Sequence, residues 1–224
     1  KKNINSFNII LQTKETYYEL IIIYLKIDFK LEKNKVLDTL RVLGSNITQN
    51  LIINNINKSN IYLLENEDEL NICFLEGFLM KFYNFNKYKT NEKSSSKHFY
   101  IVYKKNNNFN KKLDILKNNI SSLFLAKDLI NEPANKLTPD IFIKEIKKYI
   151  KINKLKIITK VYDTKELEKM GMNLIASVGK GSNKENQSKL LLLYYTGNKK
   201  KTLKKSFINN LKKIDYTFIG KGVL

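Results

Sequence analysis

Chemistry at a protein site needs side chains with lone pairs or exchangeable protons. This 224-residue chain has one histidine, His98, and one cysteine, Cys73. Two such ligands cannot complete a tetrahedral structural zinc site. His98 has the intrinsic pKa of a general base. It opens an apolar run, though, with no suitable partner nearby in sequence, and so reads as structural or exposed. Cys73 alone closes no internal disulfide and fits a reducing compartment. Lysine remains, and two lysines stand between glycines, in Gly179-Lys180-Gly181 and Gly220-Lys221-Gly222. Neither triplet has the upstream glycine and the Gly-Lys-Ser/Thr ending that a phosphate cradle needs.

The elements that would position these residues follow from hydrophobic spacing. Residues 7–11 and 19–27 are apolar, β-branched runs suited to strands. Residues 32–43 put Val36, Leu37, Leu40 and Leu43 on one helical face, with Gly44 where a C-terminal cap is expected. Residues 47–53 and 60–64 read as further strands, and 67–83 as a long helix carrying Leu70, Phe74, Phe78 and Phe82 at intervals of four. A Ser/Lys-rich linker (90–97), a strand (98–103) and a solvated low-complexity loop (104–112) follow. Leu113, Leu116, Ile120, Leu123 and Phe124 then mark one face of an amphipathic helix. Further on, 138–150 is a helix with Phe142, Ile143, Ile146 and Ile150 on its buried side, and 155–161 a strand. Asp163-Thr164-Lys165-Glu166 has the form of a capping box, opening a short helix that closes at Gly171. Residues 190–195 are apolar on both faces, as in a central, doubly covered strand. Residues 216–219 are a last strand running into Lys221.

Composition bounds the class. With 42% hydrophobic residues the chain can bury a core, and no apolar run is long enough to span a membrane, so no membrane partner is expected. No small-residue cleavage site follows the apolar region 6–27, which speaks against a secretory signal. The net charge of +20 invites a nucleic-acid reading. Its basic residues are nearly all lysine, spread among asparagine and isoleucine rather than gathered on a stripe, as compositional bias would produce. Surface bias is therefore the preferred reading over a phosphate-binding patch. Segments such as 198–205 then read as solvated low-complexity loops.

Both prolines of the chain fall within 126–140. Asn131-Glu132-Pro133 must end the preceding helix, since the residue before proline is pushed out of the helical region. Thr138-Pro139 opens another, with a hydroxyl cap and proline at the first helical position. The stretch is a helix, a polar hinge and a new helix, which marks a domain junction.

The same stretch, Lys127-Asp128-Leu129-Ile130-Asn131-Glu132-Pro133-Ala134-Asn135-Lys136-Leu137-Thr138-Pro139, resembles the junction of the leucyl (cytosol) aminopeptidase family. There the pattern is Arg-Asp-Leu-Val-Asn-x-Pro-Ala-Asn-x-Leu-Thr-Pro, so only the leading Arg is changed, to Lys127. Glu76-Gly77-Phe78-Leu79 with Tyr83-Asn84-Phe85-Asn86-Lys87-Tyr88-Lys89 is similar too, Asn86 replacing an Asp. So are 166–172, Ala176-Ser177-Val178-Gly179-Lys180-Gly181-Ser182 and 189–195, where Ser188-Lys189 replaces Pro-Arg. Phe218-Ile219-Gly220-Lys221-Gly222-Val223 resembles the family's first metal-ligand segment. Against the family, 198–213 is a Lys/Asn-rich insertion.

The resemblance implies an α/β protein: an N-terminal α/β domain over 1–110, a linker helix over 111–131, and over 132–224 the truncated start of an α/β catalytic domain. It implies a metallo-exopeptidase that removes leucine-like N-terminal residues from peptides with two divalent cations, zinc or manganese. A bound bicarbonate, a homo-hexamer and a cytoplasmic location are expected for a complete enzyme. Lys221 is the implied metal ligand. An ammonium has no lone pair, so Lys221 must lose its proton, which burial beside a dication promotes. The other metal carboxylates, the second active-site lysine and the bicarbonate-binding arginine of the family lie further on. No catalytic residue is therefore assigned within these 224 residues, which alone are expected to be inactive. Two alternatives stand beside the enzyme: an inactive fragment or paralogue kept for assembly or binding, and a basic nucleic-acid-binding module.

Overall fold

The computed structural model of the chain describes residues 4–12, 17–25, 32–63, 67–90, 97–103, 107–195, 197 and 214–222. It divides into two compact units, 1–125 and 126–224.

The first unit begins with an antiparallel hairpin of β1 (Ile4–Gln12) and β2 (Tyr17–Leu25), in register from Ile4 opposite Leu25 to Gln12 opposite Tyr17. Then come α1 (Lys33–Ile53), β3 (Lys58–Tyr62), α2 (Asp68–Met80), β4 (His98–Val102) and α3 (Asn107–Asn131). β3 and β4 pair in parallel, Lys58 opposite His98 and Tyr62 opposite Val102, as strands joined by a helical crossover do. Their residues alternate between exposed and half-buried, so Ser59, Ile61, Phe99 and Ile101 form the more covered face. One cluster joins Leu75, Phe109, Leu113 and Leu116 to Ile72, Leu79, Ile101 and Tyr103. A second joins Val36, Leu37, Leu40 and Cys73 across the α1–α2 contact.

Two glycines explain why α1 and α2 come so close. A Cβ on Gly44 would lie 2.1 Å from the Phe74 carbonyl oxygen, and one on Gly77 would lie 1.9 Å from that of Arg41. Only hydrogen fits at either point, so the backbones touch. Beside them the fully buried Thr48 hydroxyl donates to the Phe78 carbonyl at 2.8 Å. That carbonyl lies in the last turn of α2, where helix carbonyls lack intrahelical partners.

Several expectations change here. Gly44 does not cap α1, which runs on to Ile53 and absorbs the strand expected over 47–53. The buried positions of α1 (Val36, Leu37, Leu40, Leu43, Gly44, Thr48 and Leu51) recur every three or four residues. The helical period therefore continues through the β-branched run, and packing against α2 outweighs strand propensity. The loop expected over 104–112 is helical from Asn107, because Phe109 is 1% exposed and anchors the core against the Tyr103 ring.

In the second unit, α3 ends at Asn131 and the chain turns at Pro133, whose carbonyl accepts from the Lys136 and Leu137 amides at 2.8 and 2.9 Å. α4 (Pro139–Ile152) follows, with the Thr138 side chain accepting from the Ile141 amide at 3.3 Å and proline in the first turn. β5 (Ile157–Tyr162) leads to α5 (Thr164–Lys169), which opens on a complete capping box. The Asp163 carboxylate accepts from the Glu166 amide at 2.9 Å, and Glu166 accepts from the Asp163 amide at 3.0 Å. Gly171, at φ +74°, takes the left-handed turn that ends this segment. α6 (Asn173–Val178) and a 3-10 turn (Lys184–Asn186) precede β6 (Leu190–Tyr195).

β6 pairs antiparallel with β5, Ile157 opposite Tyr195 and Tyr162 opposite Leu190. Among the described residues β5 is its one strand partner, and Leu193 and Tyr195 are exposed. Residues 216–219 form no strand. They lie outside regular structure, with Phe218 95% and Ile219 94% exposed. A strand exists only where a neighbour takes its amides and carbonyls, and no described segment does so here. The insertion expected over 198–213 lies outside the described residues.

Candidate functional site

The second unit gathers polar side chains where β6 begins. Lys189 bonds Asp140 in the first turn of α4, and Thr164 at the start of α5 donates to the Ser188 carbonyl at 3.0 Å. Gly179, which caps α6, sits so near that a Cβ there would be 2.3 Å from the Ser188 amide nitrogen. Residues 188–189 are thus held from the starts of α4 and α5 and from the end of α6. The carboxylate of Asp140 also suits the positive end of the α4 dipole. Sequence reasoning missed this node. Its one visible signal was the basic residue Lys189 standing where the resembling family has arginine.

The close packing at Gly179 also accounts for the leading glycine of the first Gly-Lys-Gly triplet. This glycine admits Ser188, and Lys180 pairs with Glu168 at 2.7 Å. No phosphate needs to be invoked. In the first unit, Arg41, the sole arginine, donates to Glu76 at 2.6 Å and to Asp38 at 2.8 Å. The Glu76 hydrogen bond is the main cause holding the Arg41 guanidinium above its ordinary pKa. Glu76 and Gly77, read from sequence as part of a motif, thus both bear on Arg41: one binds its side chain, the other abuts its backbone.

His98 is exposed at the start of β4. Cys73 is 5% exposed, and burial raises its thiol pKa, which suits an inert core residue and not a nucleophile. Lys221 is exposed and outside regular structure. Among the described residues no group of three or more His, Cys, Asp or Glu side chains could hold a metal ion. Two dications need several anionic donors. The described residues supply no such set, so by themselves they do not fit a two-metal centre.

The architecture, with helices and small parallel and antiparallel sheets, defines an α/β protein whose second unit opens on a proline hinge. Residues 124–224 match the model of the cytosol aminopeptidase family, catalytic domain. The probable cytosol aminopeptidase of Phytoplasma mali is 31% identical over 157 residues, which is 67% of this chain and 28% of that protein. That of Clostridium tetani is 32% identical over 152 residues, 66% of this chain and 28% of the relative. Among solved structures, a mutant of tomato leucine aminopeptidase superposes with a TM-score of 0.65 at 15% identity, covering 88% of this chain and 39% of that one. The bottromycin maturation enzyme BotP in complex with Mn gives 0.58 at 18% identity, covering 71% and 33%. At these identities the structural likenesses establish the fold. The chain belongs to the leucyl (cytosol) aminopeptidase family. It spans well under half the length of the curated relatives it matches.

Proposed function

We propose that the protein carrying this chain is a metal-dependent aminopeptidase that removes leucine-like residues from peptide N-termini. The observation that carries this reading is the catalytic-domain match over 124–224, which takes in the proline hinge, the β6 node and the Gly220-Lys221-Gly222 segment. In this reading the division of labour is an N-terminal α/β domain over 1–110, a linker helix over 111–131 and the opening of the catalytic domain from 132. Lys221 supplies one ligand to a pair of divalent ions, and further segments of the protein supply the rest. Manganese draws support from the BotP complex, zinc and bicarbonate from family resemblance alone. A hexamer is proposed on the same resemblance. A cytosolic location rests on the relatives' names and on the lone, buried Cys73.

The chain's own residues do the positioning. The hinge and the Lys189–Asp140 pair fix α4 against the start of β6. The test is hydrolysis of leucine p-nitroanilide by the full-length protein, before and after chelation and on return of Mn2+ or Zn2+. Metal-restored cleavage is expected, with loss of bound metal and activity in Lys221→Met. No cleavage under any metal would overturn the enzyme in favour of a binding or assembly paralogue. The 224 residues alone are expected to be inactive and to take up no metal stoichiometrically.

A further inference from the structure

The C-terminal end of α4 carries exposed apolar side chains among exposed lysines. Ile152 is 66% and Leu155 41% exposed, and the tight turn between them is well formed. The Asn153 amide donates to Tyr149 at 3.0 Å, Lys154 to Lys151 at 3.2 Å and Leu155 to Ile150 at 2.9 Å, with Lys154 at φ 51°. The apolar pair is therefore held out on a fixed turn. Around it stand Lys151, Lys154 and Lys156, all exposed, while Lys148, one helical turn before Ile152, lies 3.9 Å from the Glu145 carboxylate. The last acidic residue before this tip is Glu145, and the next in the chain is Asp163.

We propose that this tip docks on an anionic lipid surface, with Ile152 and Leu155 entering the headgroup boundary and Lys151, Lys154 and Lys156 facing the lipid phosphates. Charge complementarity points to a polyanion. The exposed isoleucine and leucine favour a bilayer over a nucleic acid, because apolar side chains gain from insertion among acyl chains and gain little along a phosphate backbone. Lysine suits this too: it acts as a point charge on a flexible stem, where base reading favours the planar fork of arginine. The contact is peripheral and involves no spanning segment. Among the described residues no helix is long and apolar enough to cross a membrane.

The test is co-sedimentation of the full-length protein with phosphatidylcholine vesicles, with and without phosphatidylserine. Binding is expected only with phosphatidylserine, weakening as salt rises. Lys151→Gln with Lys156→Gln should lower the partition coefficient by about fivefold per lysine. Ile152→Ser with Leu155→Ser should weaken binding at unchanged charge. Lys111→Gln with Lys117→Gln, on exposed α3 positions, should leave it unchanged. The proposal is overturned by absence of phosphatidylserine-dependent binding, by equal losses in the α3 and α4 lysine pairs, or by indifference to the apolar pair. Retention of DNA through these lysines without vesicle binding would also overturn it and make the tip a nucleic-acid contact.

Discussion

Gly77 shows how one missing methyl group sets the spacing of two helices. Alanine there gains about 1 kcal/mol of helix propensity. Against this, its Cβ would meet the Arg41 carbonyl oxygen at 1.9 Å, a backbone atom that no side-chain rotation can move aside. Overpacking of a fixed core costs about 1–3 kcal/mol, and backbone contacts lie at the upper end. Gly77→Ala should therefore lower the unfolding free energy by about 1–2 kcal/mol net in urea titrations. A stabilised variant would show that the helices do not touch there. Cys73, packed in the same contact, has its thiol pKa raised chiefly by burial; Arg41 opposes the shift, while Glu76, Glu69 and Asp38 add to it. The folded state thus keeps its thiol proton at pH values where the unfolded chain, with a pKa of about 8.5, has begun to lose it. Unfolding then releases a proton, and stability falls as pH rises above that value toward the folded pKa. Cys73→Ala should flatten this alkaline slope in pH-dependent melting, at the cost of a small cavity.

At the scale of elements, the helices of the second unit are fixed largely by their ends. Thr138 caps α4 through its hydroxyl, and Asp163 and Glu166 cap α5 reciprocally. Thr138→Ala and Asp163→Ala should each cost about 1 kcal/mol, read as a shift in the denaturation midpoint at constant slope. Asp163→Asn should retain most of that stability, because it keeps the accepting oxygen. These features were legible in the sequence because a cap is local: Asp163 and Glu166 are three residues apart, and Pro139 permits only the first turn. The end of α1 was not legible. Gly44 looks like a stop signal until α2 is seen to lie across it, and 47–53 look like a strand until Thr48 and Leu51 are seen facing α2 or the core.

At the scale of the whole molecule, the metal-ligand role proposed for Lys221, next to the exposed Phe218 and Ile219, is one that no single segment can build. Exposed apolar side chains such as Phe218 and Ile219 need a neighbouring segment to cover them, and a metal-ligating amine needs a dication beside it. In the full-length protein, Lys221→Met should therefore lower metal content and peptidase activity while leaving the melting of residues 1–125 unchanged. Separate loss of structure in both units would assign Lys221 a structural role instead.

By itself the sequence determined the α/β class, the proline hinge between Asn131 and Pro139, the capped starts of α4 and α5, and the family. All of these rest on residues close together in the chain, where sterics and capping act directly. Tertiary structure alone decided that Gly44 and Gly77 are points of helix contact, that Phe109 belongs to a core rather than a loop, and that Lys189 bonds Asp140. Those outcomes depend on which surfaces meet across long stretches of chain, and propensity and spacing carry no record of the partner.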